Sequence, residues 1–94
     1  MAYDYSSIKI LKTFDLKRDN SKSGRYYIQV KRLVDEKDSI EYLDIRNAYK
    51  NEDGEILPTA KGVRFNSEQA VDVAVALINC LSKEETDEFL DRIK

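Results

Sequence analysis

The sequence contains no histidine, one cysteine and three glycines, and each scarcity limits the chemistry that the chain can perform. Histidine is the commonest general base and metal ligand, so its absence argues against both roles. A single cysteine, Cys80, permits no internal disulfide and no zinc site of the usual kind. Because Cys80 falls in an apolar stretch, we expect it in the core. Three dispersed glycines provide no glycine-rich phosphate loop. The sequence therefore predicts a protein that is not an enzyme and uses no metal or cofactor.

Long hydrophobic segments are missing as well. The most apolar stretch, residues 73–81, is too short to cross a bilayer, so no membrane partner is expected. The first ten residues lack the basic and apolar regions of a secretory signal. We therefore expect a cytoplasmic or nucleoid location, or a nuclear one in a eukaryote. Ninety-four residues make one small domain whose core would gain from dimerisation.

Charge is divided unevenly along the chain. The net charge is −2, but residues 8–34 carry eight Lys and Arg against two Asp. Residues 67–94 carry three basic and seven acidic residues. A basic first half and an acidic end suit a protein that presents one face to phosphate. The alternative is that the uneven charge has no function, because surface charge is often uneven.

Alternating apolar residues predict four antiparallel strands, and helical spacing predicts two helices after them. The strands are expected at Ile8–Leu16, Arg25–Val34, Ile40–Tyr49 and Lys61–Phe65. In the first strand Ile8, Ile10, Phe14 and Leu16 have the same parity, and Lys12 suggests a bulge. The first helix is expected at Ser67–Leu81, opened by a capping box from Asn66 to Gln69. Its apolar surface is wider than one sheet face needs, which implies a second apolar partner.

The end of the chain carries a second capping box, Ser82 to Glu85, followed by apolar residues at helical spacing. We expect a short amphipathic helix that extends a dimer interface, covers a sheet edge or frays. The chain is therefore divided into an N-terminal tail at residues 1–7, a domain at residues 8–81 and a C-terminal helix at residues 82–94.

An ordered set of motifs lies between Leu43 and Gln69. It comprises Leu43-Asp44-Ile45-Arg46, Tyr49, Gly54-Glu55, Pro58, Lys61-Gly62-Val63 and Glu68-Gln69. Together they resemble the positive cofactor 4 family of single-stranded-DNA-binding transcriptional coactivators. The Ser-rich and Lys-rich eukaryotic tail is absent, which suggests a prokaryotic or viral member.

The predicted elements make an α+β fold, a ββββα unit with a short C-terminal helix that the family's core lacks. The resemblance implies that this unit dimerises through its helices. The expected dimer interface consists of Val71, Ala74, Val75, Leu77, Ile78 and Leu81.

The resemblance also implies a binding site on the sheet. It assigns Arg46 and Lys61 to phosphates and Tyr49 to base stacking, while strand alternation adds Tyr27, Lys31 and Arg64. Three alternatives remain open: Arg46 pairs with Asp44 or with an acid on a neighbouring strand, Tyr49 packs at its strand end, and Lys61 is a solvated charge. Leu33 stands where the family has an outer aromatic, and Tyr42 or Tyr27 would have to replace it.

These features predict sequence-tolerant binding of single-stranded DNA, or RNA, in transcription, replication or repair. The expected partners are single-stranded nucleic acid, a second copy of the chain, and transcription or replication proteins. The alternative is a dimeric protein-interaction module of the transcription machinery with weak or no nucleic-acid binding. That module would use the acidic surface.

Overall fold

The computed structural model describes residues 7–18 and 24–93. Residues 1–6 of the predicted tail, residues 19–23 between the first two strands and residue 94 of the predicted C-terminal helix lie outside this description. The elements are β1 (Ile8–Lys17), β2 (Tyr26–Asp35), β3 (Ile40–Lys50), β4 (Ile56–Phe65), α1 (Ser67–Asn79) and α2 (Lys83–Arg92). The predicted α+β order of four strands and two helices is confirmed.

The sheet is an antiparallel meander in the order β1-β2-β3-β4. Directly paired residues on neighbouring strands project from the same side, so the register defines two faces. We call the side of Gln29 and Arg46, which are paired, the polar face. The side of Val30 and Ile45, also paired, is the apolar face. This division of β2 and β3 agrees with the alternation in the sequence.

A bulge in β1 changes which face its apolar residues occupy. The register shifts between Ile10 and Lys12, which leaves Leu11 as the extra residue. Ile10 therefore projects from the polar face, whereas Phe14 and Leu16 project from the apolar face. The bulge suggested by Lys12 is confirmed, and it places residues of the same sequence parity on opposite faces of the sheet.

β4 begins earlier than predicted and contains a larger irregularity. Three β4 residues, 59–61, lie opposite Asn47 of β3. The Thr59 hydroxyl donates to the Asn47 carbonyl oxygen at 2.9 Å, and the Lys61 N–H donates to the Thr59 hydroxyl at 3.2 Å. Beyond the irregularity the strands run so close that a Cβ on Gly62 would lie 2.7 Å from the Ile45 carbonyl oxygen. Glycine at this position permits the β3–β4 pairing.

Both predicted capping boxes are present. The Gln69 N–H donates to the Asn66 side chain at 2.8 Å, and the Asn66 N–H donates to the Gln69 side chain at 3.2 Å. Ser82 and Glu85 make the same reciprocal pair at 2.9 and 3.2 Å. Helix α1 ends two residues earlier than predicted, and Cys80 at its C-cap is exposed rather than in the core.

The single chain buries few hydrophobic side chains. In the described ranges the buried hydrophobic residues are Leu33 and Ala48, both on the polar face. Helix α1 packs against β3 and β4 but has no buried residue of its own. Within the same ranges, no helix combines the length and apolar composition that crossing a membrane requires. Much apolar surface on the sheet and on α1 is therefore left open in one chain.

Candidate nucleic-acid interface

The polar face forms a groove of about 780 Å³. Both edge strands line it, which shows that the sheet curls around this side and makes the polar face concave. The curl also explains why side chains on this face are the most buried of the sheet. The groove is lined by Ile8, Ile10, Lys31, Leu33, Asp44, Arg46, Pro58, Thr59, Ala60 and Arg64.

One buried carboxylate organises two guanidinium groups in this groove. Asp44 is 2% exposed. Arg46 Nε donates to Asp44 Oδ1 at 2.6 Å, and Arg46 Nη2 donates to Oδ2 at 3.0 Å. Arg64 Nε donates to Asp44 Oδ2 at 3.2 Å. Arg46 Nη1 also donates to the Thr59 carbonyl oxygen at 2.9 Å, which ties Arg46 to the irregular part of β4. The alternative that Arg46 pairs with Asp44 is therefore observed, and the pairing fixes the orientation of both arginines.

Lys31 is the third cation of the groove and differs from the two arginines. It lies opposite Asp44 in the register. No hydrogen bond or ion pair joins its ammonium group to any residue of the described ranges. The three cations face one lining carboxylate, which leaves an excess of two positive charges in the groove. This excess attracts an anionic ligand.

A buried amide lies next to the groove. Gln29 is 4% exposed, and its Nε2 donates to Asp15 Oδ1 at 2.9 Å. Its Oε1 is buried and has no hydrogen-bond partner among the described residues. A buried acceptor without a partner costs about 1–3 kcal/mol, so the polar face holds some strain beside Arg46.

The tyrosines are divided between the two faces. Tyr27 is half-buried on the polar face, and Tyr42 on the same face lies with its ring centroid 5.5 Å from the Arg64 guanidinium carbon. Tyr49 is paired with Tyr26 on the apolar face, where the two residues are 41% and 55% exposed. The predicted site residue Tyr27 therefore shares a face with the groove cations, and Tyr49 does not.

The other predicted positions also separate. Lys61 lines a shallow depression of about 310 Å³ beside Ile28, Ile45 and Val63 of the apolar face. Arg46 reaches the rims of both this depression and the groove. Leu33 is 4% exposed, so it offers no surface for a base where the family has an aromatic.

The predicted dimer surface is largely open in the single chain. Val71, Val75 and Leu77 are 63%, 52% and 58% exposed, and Ala74 is also exposed. Ile78 and Leu81, the last two residues predicted for this surface, are half-buried.

Sequence reasoning did not identify Thr59, which shapes β4 and accepts a hydrogen bond from Arg46. Its position after Pro58 in an irregular strand was the available signal. It also missed Ile8 and Ile10, which reach the groove only because of the β1 bulge. Within the described ranges, no cluster of three or more metal-ligating side chains occurs.

The central ion-pair network, the irregular β4 and the start of α1 all belong to one continuous segment. Residues 37–74 match the family Transcriptional Coactivator p15 (PC4). The match covers 38 of the 94 residues and confirms the positive cofactor 4 resemblance for this segment. We call residues 37–74 the PC4 segment; the family that it matches is described as a transcriptional coactivator. No curated protein and no solved structure matches the chain significantly.

Proposed function

We propose that this protein binds single-stranded DNA in the concave groove of its sheet, with little dependence on sequence. The observation that supports the proposal most directly is the groove lining, where Lys31, Arg46 and Arg64 surround a single carboxylate within and beside the PC4 segment. Proteins that bind single strands combine such a basic groove with aromatic faces for the bases. RNA is the alternative ligand of the same chemistry.

The three cations have different tasks in this proposal. Arg46 and Arg64 are held by Asp44 and present oriented guanidinium groups to phosphate oxygens. Lys31 adds a mobile point charge that is not engaged within the described structure.

Bases stack on aromatic side chains at about 1–3 kcal/mol per base. Tyr27 can do so from the groove side. Tyr49 contributes only if the strand passes around the end of the sheet, because Tyr49 lies on the apolar face. Lys61, which lines the depression beside Val63, would then contact a phosphate of the passing strand.

We further propose that the functional unit is a homodimer formed through α1. A single chain of 94 residues that buries so few hydrophobic side chains has a marginal core. Covering Val71, Val75 and Leu77 in a helix–helix contact would remove exposed apolar surface from both chains.

The test is fluorescence anisotropy with a labelled single-stranded oligonucleotide and an unlabelled duplex competitor. Lys31→Ala should weaken binding, because the lysine is part of the groove lining. Lys9→Ala is the matched control, since Lys9 is an exposed lysine on the opposite face of the sheet. Equal affinities of the two variants would contradict the groove assignment.

A protein-interaction module is the second candidate, and the acidic composition of α2 favours it. Residues 83–92 carry five acidic and two basic side chains. If the wild-type protein shows no affinity for the oligonucleotide even at low salt, the single-strand proposal is wrong and the module becomes the better account.

A further inference from the structure

Two apolar surfaces outside α1 are exposed in the single chain. The first is a β1–β2 patch on the apolar face, which we define by Phe14, Leu16 and Ile28. These residues are 50%, 51% and 36% exposed, and Leu16 lies directly opposite Ile28. Helix α1 packs against β3 and β4, which form the other half of the sheet.

The second surface belongs to α2. Leu90 and Ile93 are 49% and 61% exposed and line one depression together with Asp87 and Asp91. Helix α2 has a net charge of −3, from five acidic and two basic residues. An apolar pair with an acidic border therefore projects from the C-terminal helix.

The β1–β2 patch has the opposite charge at its border. The Lys12 ammonium lies 5.5 Å from the centre of the Phe14 ring, and Lys9 projects from the same face. Neither lysine has an acidic partner among the described residues. The nearby Arg32 is already paired with Glu41 at 3.1 Å. The patch therefore presents apolar side chains with two uncompensated positive charges.

We propose that α2 of a second copy of this chain docks on the β1–β2 patch of the first. Leu90 and Ile93 would pack against Phe14 and Leu16, and Asp87 would approach Lys12. The occupant is a second copy because both surfaces stay exposed within one chain, so the chain's own α2 does not cover its own patch. In a two-fold dimer the contact occurs twice.

This inference rests on the homodimer of the proposed function and adds to it. Helix α2 and strand β1 both lie outside the PC4 segment at residues 37–74. The contact would therefore be a feature of this chain rather than of the matched segment, and it assigns α2 a role in holding the dimer.

The direct test is cross-linking between subunits in full-length protein carrying Cys80→Ser. One preparation carries Leu90→Cys, and a second, with a different mass tag, carries Leu16→Cys. Oxidation of the mixed dimers should give a disulfide that joins the two tags. In the control, Asp38→Cys replaces Leu16→Cys. Asp38 is exposed in the turn between β2 and β3, at the end of these strands away from Leu16, so it should give no disulfide with Leu90→Cys.

Charge reversal provides a test that does not depend on cysteine placement. Lys12→Glu should raise the dimer dissociation constant about tenfold, because the loss of one exposed charge pair costs roughly threefold and the contact occurs twice. Adding Asp87→Lys should restore the dissociation constant. Lys50→Glu, an exposed lysine outside the patch, is the control and should leave it unchanged.

The outcomes separate this inference from the proposed function. A dimer that forms no mixed disulfide with Leu16→Cys, and that tolerates Lys12→Glu, overturns the α2 contact but keeps the α1 dimer. If the protein is monomeric in sedimentation experiments, both the α2 contact and the α1 dimer are wrong. Single-strand binding is measured independently and can survive either result.

Discussion

Replacing Arg46 by alanine should destabilise the fold as well as weaken binding. Asp44 is 2% exposed, and Arg46 supplies two of its hydrogen bonds, at 2.6 and 3.0 Å. The substitution removes both and also frees the Thr59 carbonyl oxygen. Asp44 would then keep its ion pair with Arg64. Because the Arg64 side chain is 39% exposed, this remaining pair is more solvated than the pair with Arg46.

The expected magnitude follows from these contacts. Breaking a buried ion pair by removing one partner costs about 3–5 kcal/mol. Because Arg64 still neutralises Asp44, we expect a smaller effect than this range, about 2–3 kcal/mol. For a domain of this size 1 kcal/mol corresponds to about 4–8 °C in melting temperature. Arg46→Ala should therefore lower the melting temperature by about 10–20 °C.

Circular dichroism of urea unfolding measures the free-energy change, and circular dichroism of thermal unfolding measures the melting temperature. Both use one fixed protein concentration, because the stability of the proposed dimer would depend on it. Arg32→Ala is the matched control, because Arg32 forms an exposed pair with Glu41 whose expected contribution is about 0–1 kcal/mol. If Arg46→Ala costs no more than Arg32→Ala, the reasoning about the buried network is wrong. If Arg46→Ala destabilises the fold as expected, weaker binding by this variant can reflect lost structure as well as a lost phosphate contact.

Three further predictions concern β4, α2 and the tyrosines. Gly62→Ala should severely destabilise the protein, as measured by urea unfolding, because its Cβ would collide with the β3 backbone; a stability equal to wild type would refute the close approach. Hydrogen bonds from the backbone and side chain of Ser82 lower the pKa of Glu85 below its ordinary value. The stabilisation that ionised Glu85 gives to α2 is therefore present at neutral pH and is lost as the pH falls through the lowered pKa. Circular dichroism should show this loss, and Glu85→Gln should remove that component of the pH dependence; a Glu85→Gln profile identical to wild type would contradict it. In anisotropy experiments Tyr27→Ala should weaken single-strand binding about fivefold or more, whereas a larger loss in Tyr49→Ala would show that the strand passes around the sheet end.

Much of the fold could be predicted from the sequence because its signals are local. The capping box from Asn66 to Gln69 and the alternation of β2 and β3 each depend on residues a few positions apart. Helix α1 was predicted within two residues, as was the opening of α2 after Ser82. Gly54, between β3 and β4, has a φ of +84°, a conformation that glycine adopts readily.

The remaining features depend on contacts between distant residues. The β1 bulge decides that Ile10 reaches the groove while Phe14 does not, and its effect on the faces is fixed only by pairing with β2. The irregularity at Thr59 is likewise fixed by pairing with β3. Neither is visible as a period in the sequence.

The binding role of the predicted site residues stays a prediction, but the structure shows how these residues are arranged. Lys31, Arg46 and Arg64 do line one groove. Tyr49 is three residues from Arg46, so strand alternation places the two side chains on opposite faces. The family resemblance instead assigned both residues to one site. The curl of the sheet, which makes the polar face concave, arises from the whole four-stranded assembly.

The salt dependence of oligonucleotide binding tests the central claim most directly. Binding that releases counterions from a single strand falls with a slope of roughly −0.7 per phosphate contact in a plot of log affinity against log salt. If each of the three groove cations contacts one phosphate, we predict a slope of roughly −2 for the wild-type protein and a shallower one, by roughly 0.7, for Lys31→Ala. A slope near zero, or one that Lys31→Ala leaves unchanged, would contradict the proposal that the concave groove holds the strand.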